Sequence, residues 1–267
     1  RREAALDAVE EAVTLYRDLA GTSPDTFRPD LASALNTLSA RLSSLGHREA
    51  ALDAAAEAVK LCREFAPVHP DAFRPDLPKV LNNLSIRLSR LGHREAGLDA
   101  AAEAVKLYRD LAAAHADAFQ SDLATTLNNL SNHLADLGHR EAALEAIEEA
   151  VAIRRNLAAA FPDAFRPDLA SALNNLSNHL SDLDRREPAL DAVVEAVAIR
   201  RELAATRPDA FQQALASALS NLSNRLSDLG RHEPALKAVE EAAKLYRDLA
   251  TALPSAFRPD LALVLNN

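Results

Sequence analysis

Tryptophan and methionine are absent from this chain, cysteine occurs once, and only 6 of its 267 residues are glycine. Aromatic side chains contribute just 4%. Sandwiches and barrels draw on aromatic and β-branched residues for their pleated faces, so this scarcity argues against an all-β fold. The lone Cys62 has no partner for an internal disulfide, and nothing in the cysteine usage calls for an oxidising compartment. No stretch nears the roughly 18 uninterrupted apolar residues of a membrane span. Phosphate loops, nucleophile elbows, His-Glu metal helices and Cys-x-x-Cys pairs are all missing, so the expectation is a chain without catalysis, cofactor or metal. With no methionine at Arg1 the chain does not open at a natural start, and further segments are expected beyond it. What is present is an apolar share of 48% carried mainly by alanine and leucine, both strong helix formers. The 26% of charged residues sum to a net charge of −9, which repels nucleic acid and anionic membrane and excludes both as expected partners. A cytoplasmic protein is the simplest expectation.

The segment Phe-Arg-Pro-Asp-Leu begins at Phe27, Phe73, Phe165 and Phe257, with Phe119 and Phe211 in step, so the chain repeats every 46 residues. Aligning 47–92 with 139–184 gives 28 identities in 46 positions. Each copy reads as two helices. The first is expected to open at Leu77, with Pro75 holding Arg74 extended and Asp76 as N-cap, and to stop at Gly92. Along it Leu81, Leu84, Leu88 and Leu91 form one apolar stripe. Asp184 stands once in place of the glycine, which an aspartate tolerates in the left-handed region. The second helix is expected from about Glu49 to Ala66, with Leu52, Ala55, Ala58, Val59 and Cys62 on one side, ending before Pro70. Pro188 and Pro234 fall near its start, where a missing N–H costs little.

Two amphipathic helices bury both faces only by stacking on identical neighbours, so the pattern predicts an all-α solenoid of antiparallel pairs. The expected organisation is a single solenoid over 1–267. It comprises an unpaired second helix at 1–20, pairs at about 27–66, 73–112, 119–158, 165–204 and 211–250, and a truncated first helix at 257–267. Neither end carries the polar face of a cap. The chain is therefore read either as part of a longer array or as an array whose ends pair with other copies.

The run Leu81-Asn-Asn-Leu-Ser85, followed by Leu88, Leu91-Gly92 and the spaced alanines Ala51 and Ala58 of the helix after the Leu-Gly turn, resembles the tetratricopeptide repeats. The resemblance covers the whole chain. The period of 46 instead of 34, with leucines at the large aromatic positions, resembles the long-repeat branch typified by kinesin light chain. It implies a right-handed superhelix whose first helices line a concave groove for a protein or an extended peptide. Similar arrays serve as sensor arms of multidomain bacterial regulators, and 25 arginines against 5 lysines suit a GC-rich bacterial genome.

Carried across, the groove positions are Asn36, Thr37 and Ala40, then Asn82, Asn83 and Ile86, then Asn128, Asn129 and Asn132. Asn174, Asn175, Asn178 and Ser220, Asn221, Asn224 follow. An asparagine offers both donor and acceptor, so such a row either satisfies the backbone of an extended peptide or hydrogen-bonds between neighbouring helices. Asp136, Asp182 and Asp228 stand where earlier copies have Ser44 and Arg90, which favours basic or hydrogen-bonding partner segments there. A competing expectation is end-to-end self-association through Leu6, Leu261 and Leu265.

Other recurring residues read as structural. His47, His93 and His139 are copies of one turn spaced too far apart to share a metal. His133 and His179, alternating with Arg41, Arg87 and Arg225, read as a solvated polar position. Cys62 takes the place of Tyr16, Tyr108 and Tyr246 and reads as a semi-buried packing residue. Arg17, Arg63, Arg109, Arg155, Arg201 and Arg247 recur in every copy and read as partners of acidic neighbours.

Overall fold

The leucine stripe and the alanine stripe each close into a helix, and these helices make up all the regular structure among the described residues. The computed structural model describes residues 2–67 and 75–266; the predicted Pro70 boundary lies outside them. Among the described residues there are twelve helices and no strand. They are α1 (Arg2–Thr22), α2 (Pro24–Ser44), α3 (Arg48–Phe65), α4 (Asp76–Arg90), α5 (Arg94–Ala114), α6 (Ala116–Asp136), α7 (Arg140–Ala160), α8 (Pro162–Asp182), α9 (Arg186–Thr206), α10 (Pro208–Asp228), α11 (His232–Ala252) and α12 (Pro254–Asn266). The chain divides into two compact units, one ending at His139 and one beginning at Arg140. In each unit consecutive helices pack on one another. Contacts between α2 and α4, α4 and α6, and α8 and α10 place the first helices side by side.

Each first helix ends as its glycine predicts. Gly92 adopts φ +87°, its N–H bonds to the Ser89 carbonyl at 2.9 Å, and the His93 N–H reaches back to the Leu88 carbonyl at 3.0 Å. That paired closure satisfies two carbonyls that the helix end would otherwise leave bare. Asp184 adopts φ 57° and closes α8 in the same way, with the Arg185 N–H on the Leu180 carbonyl at 2.9 Å.

The start of the first helix differs from the expectation. Only α4 opens at Asp76; α2, α8, α10 and α12 open about seven residues earlier, at Pro24, Pro162, Pro208 and Pro254, and α6 opens at Ala116. Single residues join these helices to the preceding ones, and Ser23, Phe161, Arg207 and Leu253 share φ near −137° with ψ of 72–77°. The following proline disfavours helical backbone at each joint, while its fixed φ and missing N–H suit a first helical position. Pro29, Pro167 and Pro259 consequently lie inside helices. Each forfeits one helical hydrogen bond, a cost of about 3 kcal/mol in an isolated helix that packing must offset. The second helices open at Arg186 and His232, one residue before the expected boundaries at Glu187 and Glu233.

The core follows the repeat. Leu35, Leu81, Leu127, Leu173 and Leu219 of the first helices are fully buried, as are Ala58, Ala104, Ala150, Ala196 and Ala242 of the second helices. Each such leucine contributes about 1.5–3 kcal/mol, and the alanines let the helix axes approach closely. Leu84 and Leu88 line the same core from its edge. Second helices are tied to each other by a repeated ion pair: Arg17–Glu57 at 2.6 Å and Arg63–Glu103 in the first unit, Arg155–Glu195 and Arg201–Glu241 at 2.6 Å in the second. Arg17, Arg63, Arg155 and Arg201 are thus structural partners of acidic neighbours, each pair half-exposed and worth no more than about 1 kcal/mol.

Candidate functional site

Placing first helices side by side brings the asparagine pairs together. Asn83 Nδ2 donates to Asn36 Oδ1 at 2.7 Å, and Asn129 Nδ2 donates to Asn82 Oδ1 at 2.9 Å, both in the first unit. In the second unit Asn221 Nδ2 donates to Asn174 Oδ1 at 2.8 Å. The second asparagine of one copy therefore bridges to the first asparagine of the copy before it. Asn36 is buried; Asn82, Asn83, Asn128, Asn129, Asn174, Asn175 and Asn221 are half-buried.

These bridges use only half of each amide. Among the described residues, Asn82 and Asn174 keep Nδ2, and Asn83, Asn129 and Asn221 keep Oδ1, free of any protein partner. One open donor group and one open acceptor thus recur along the row, which is the complement of an extended peptide backbone. One turn further along, Asn132 and Asn178 are exposed and Asn224 is half-buried, while Asp136, Asp182 and Asp228 stand at the helix ends. Carboxylates oppose the dipole of a helix C-terminus, and two of these ends are relieved from outside. Arg140 donates to the Asp182 carbonyl at 3.2 Å and Arg186 to the Asp228 carbonyl at 2.9 Å. Ile86 and Ser220 are half-buried, and Ala40 is exposed.

At the position shared by Arg41, Arg87, His133, His179 and Arg225 only Arg41 is exposed, so in the other copies it is not the solvated one the sequence suggested. His133 and His179 are both 6% exposed. His133 Nε2 lies 3.2 Å from Ser85 Oγ of α4, and Arg87 Nε donates to Ser39 Oγ of α2 at 3.2 Å. At Arg87 and His133 the polar side chain is long enough to reach the buried serine of the neighbouring first helix, whereas among the described residues Arg225 Nε and Ser177 Oγ are buried without a hydrogen bond. Burial holds the His133 imidazole below its usual pKa of 6.5, against a smaller upward pull from Asp136.

Two buried cations escaped the sequence reading. Arg154 and Arg200 occupy the place of Tyr16, Cys62, Tyr108 and Tyr246, at 7% and 8% exposure. They donate to the carbonyls of Asp168 at 3.1 Å and Ala214 at 2.8 Å, and burial lowers the pKa of both. The signal was available in the aligned copies, where arginine replaces an aromatic residue at a core position. Cys62 itself is fully buried instead of half-buried. Burial, with a smaller effect of Asp76, pushes its thiol pKa up to about 12. Among the described residues no group of three His, Cys, Asp or Glu side chains is gathered as a metal site requires. No described helix is long and apolar enough to cross a membrane.

The residues expected to mediate self-association lie in different environments. Leu6 packs beside Leu42, Ala51 and Ala54, and Leu261 packs into the core of the second unit. Leu265 is 57% exposed, and Leu236 and Leu263 are exposed as well.

Stacked helix pairs with a repeating polar face on the first helices define an α-solenoid repeat scaffold, an architecture consistent with protein or peptide binding. The family model for the tetratricopeptide repeat matches residues 31–71, 123–162, 169–205 and 215–250, more than half of the chain, and the chain belongs to that family. The model for anaphase-promoting complex subunit 5 matches 77–118. A comparison with curated proteins gives no match. Among solved structures, BtubC (BKLC) from P. vanneervenii is 20% identical at a TM-score of 0.74, over 93% of this chain and 92% of that one. The nearly identical TPR-like repeats of a putative kinesin light chain from Podosopora anserina are 15% identical at 0.58, over 84% and 98%. YrrB, described as a TPR protein with an unusual peptide-binding site, is 14% identical at 0.53, over 94% and 96%. At these identities the likeness is one of fold.

Proposed function

We propose that this chain is a binding scaffold, the recognition arm of a larger bacterial multidomain protein, which holds a partner protein or an extended peptide against its first helices. The observation that carries the reading is the half-used asparagine bridge. Asn82 and Asn174 offer donors, and Asn83, Asn129 and Asn221 offer acceptors, that no described protein group takes. Backbone recognition of this kind is indifferent to the partner's side chains, and the flanking Asn132, Asn178 and Asn224 extend it. Asp136, Asp182 and Asp228 add a preference for basic or hydrogen-bonding segments at the helix ends. The setting is the cytoplasm, and the repeats perform no chemistry of their own. Replacing Asn128, Asn174 and Asn178 together by alanine is expected to abolish partner binding while leaving helicity near wild type, with a stability loss of only about 1 kcal/mol from the Asn221 bridge that ends on Asn174. Unaltered affinity would refute the reading.

A second reading, end-to-end self-association, is favoured by one feature of the second unit. Leu236 and Leu265 line a groove of about 640 Å³ with Val239, Ala243 and Val264. Their counterparts one copy earlier, Leu190 and Leu219, are 5% and 0% exposed. A leucine-bearing helix of another copy fits that groove. Light scattering across a wide concentration range, on wild type and Leu265→Asp, tests it: mass that rises with concentration only in wild type supports association, and an invariant single-chain mass refutes it.

A further inference from the structure

In α10 Arg225 has a carboxylate one turn on, with its Nε 3.4 Å from Asp228 Oδ2. In α4 the equivalent arginine is Arg87, and the residue one turn on is not an aspartate but Arg90. The two guanidinium groups converge on one hydroxyl: Arg87 Nη1 donates to Ser43 Oγ at 3.0 Å and Arg90 Nη1 donates to it at 2.8 Å. Arg87 Nε is held separately on Ser39 Oγ at 3.2 Å. Among the described residues neither arginine forms an ion pair with a carboxylate. Burial and the charge of Arg90 both lower the Arg87 pKa, and no anion raises it.

Like charges one turn apart on a helix repel, and partial burial weakens the screening between them. A chain with a net charge of −9 has carboxylates to spare, yet none is placed here. Each guanidinium carries five N–H donors, of which the serines take few, so donors from two cations remain around Ser43. An incoming oxyanion would gain charge-assisted hydrogen bonds from both arginines and relieve their repulsion. We propose that Arg87 and Arg90, gathered on Ser43 between α2 and α4, form a subsite for an oxyanion, carboxylate or phosphate, borne by the bound peptide. The proposal rests on the scaffold reading in that the anion arrives on a partner. It adds that one stretch of this partner is acidic or phosphorylated.

The test is fluorescence anisotropy of three labelled peptides of equal length, one of glutamate and serine, one with phosphoserine in place of the glutamates, and one of glycine and serine. Each is titrated into the full chain and into Arg90→Asp. That substitution installs the aspartate found at 136, 182 and 228, so the fold tolerates it, and circular dichroism verifies this. Expected is a loss of about tenfold in affinity for an anionic peptide, the scale of one charge-assisted contact, with the neutral peptide unchanged. Tighter binding of the glutamate peptide identifies a carboxylate as the natural group, and tighter binding of the phosphoserine peptide identifies a phosphate. Asp228→Arg, which recreates the arginine pair in α10, is expected to strengthen anionic binding. Equal affinity of wild type and Arg90→Asp for both anionic peptides overturns the subsite. The triple asparagine variant separates the two claims. If it alone loses binding, the groove stands and the subsite falls; if Arg90→Asp alone loses it, the subsite stands and the asparagine reading falls.

Discussion

Asn36 and Asn83 make the sharpest stability test, because the bridge between them is local, short and partly dry. Asn83 Nδ2 donates to Asn36 Oδ1 at 2.7 Å, and Asn36 is only 8% exposed. Asn83→Ala leaves the Asn36 carbonyl oxygen without a partner in a place water barely reaches, at a cost of about 1–3 kcal/mol. Alanine returns roughly 0.5 kcal/mol of helix propensity, so the net loss is about 0.5–2.5 kcal/mol. Asn36→Ala strands a half-buried amide that water still reaches, and its loss falls at the low end of that range. The double variant forfeits one net hydrogen bond of about 1 kcal/mol and recovers propensity twice, so it returns close to wild type. Urea denaturation followed by circular dichroism, arranged as a double-mutant cycle, reads the coupling directly. A double variant as unstable as the two singles summed would refute the bridge as an energetic unit and with it the geometry of the row.

Three further outcomes follow from buried groups and one turn. Cys62, fully buried with a thiol pKa of about 12, should resist aromatic disulfide reagents in the native state and react only at the rate of unfolding; rapid labelling of folded protein would contradict its burial. His133 is held below 6.5 by burial, so the unfolded chain binds the proton more readily than the folded one. Stability is therefore full above pH 6.5 and falls as pH drops from there through the lowered native value, and His133→Gln should flatten that part of the urea midpoint profile. A profile as steep in the variant would disprove the assignment. Gly230 holds φ +70°, and no atom lies within 4 Å of the place a methyl group would take, so Gly230→Ala costs only backbone strain. The loss is about 1–2 kcal/mol by denaturation, and a neutral effect would deny the left-handed turn.

Much of this architecture was legible because the chain supplies its own alignment. Six copies of one pattern exposed the leucine stripe, the glycine stops and the arginines that pair between second helices. The start of the first helix was misplaced because Arg-Pro-Asp is a sound capping sequence in isolation. Pro24, Pro162, Pro208 and Pro254 give an equally sound start about seven residues earlier, and packing makes the longer helix prevail over the interior proline. His133 looked solvated because alternation with arginine is the usual mark of a surface. Its burial depends on Ser85 of the neighbouring helix, a contact between copies that no reading along one helix reveals. Arg154 and Arg200 were hidden for the opposite reason, since a cation in a core position makes sense only once the Asp168 and Ala214 carbonyls are seen beside it. The asparagine row was visible as a pattern, whereas the division of each amide between a bridge and an open group required the distances.

The central claim is that the open halves of those amides hold a partner's backbone. Side-chain amide resonances of the asparagines, followed by NMR as a peptide selected from a random library is titrated in, test it most directly. The account predicts that the Asn82 and Asn174 amide protons shift and exchange more slowly on binding, while a peptide with methylated backbone nitrogens and the same side chains binds far more weakly. Selection that enriches nothing, or binding that leaves both amides unmoved, would contradict it.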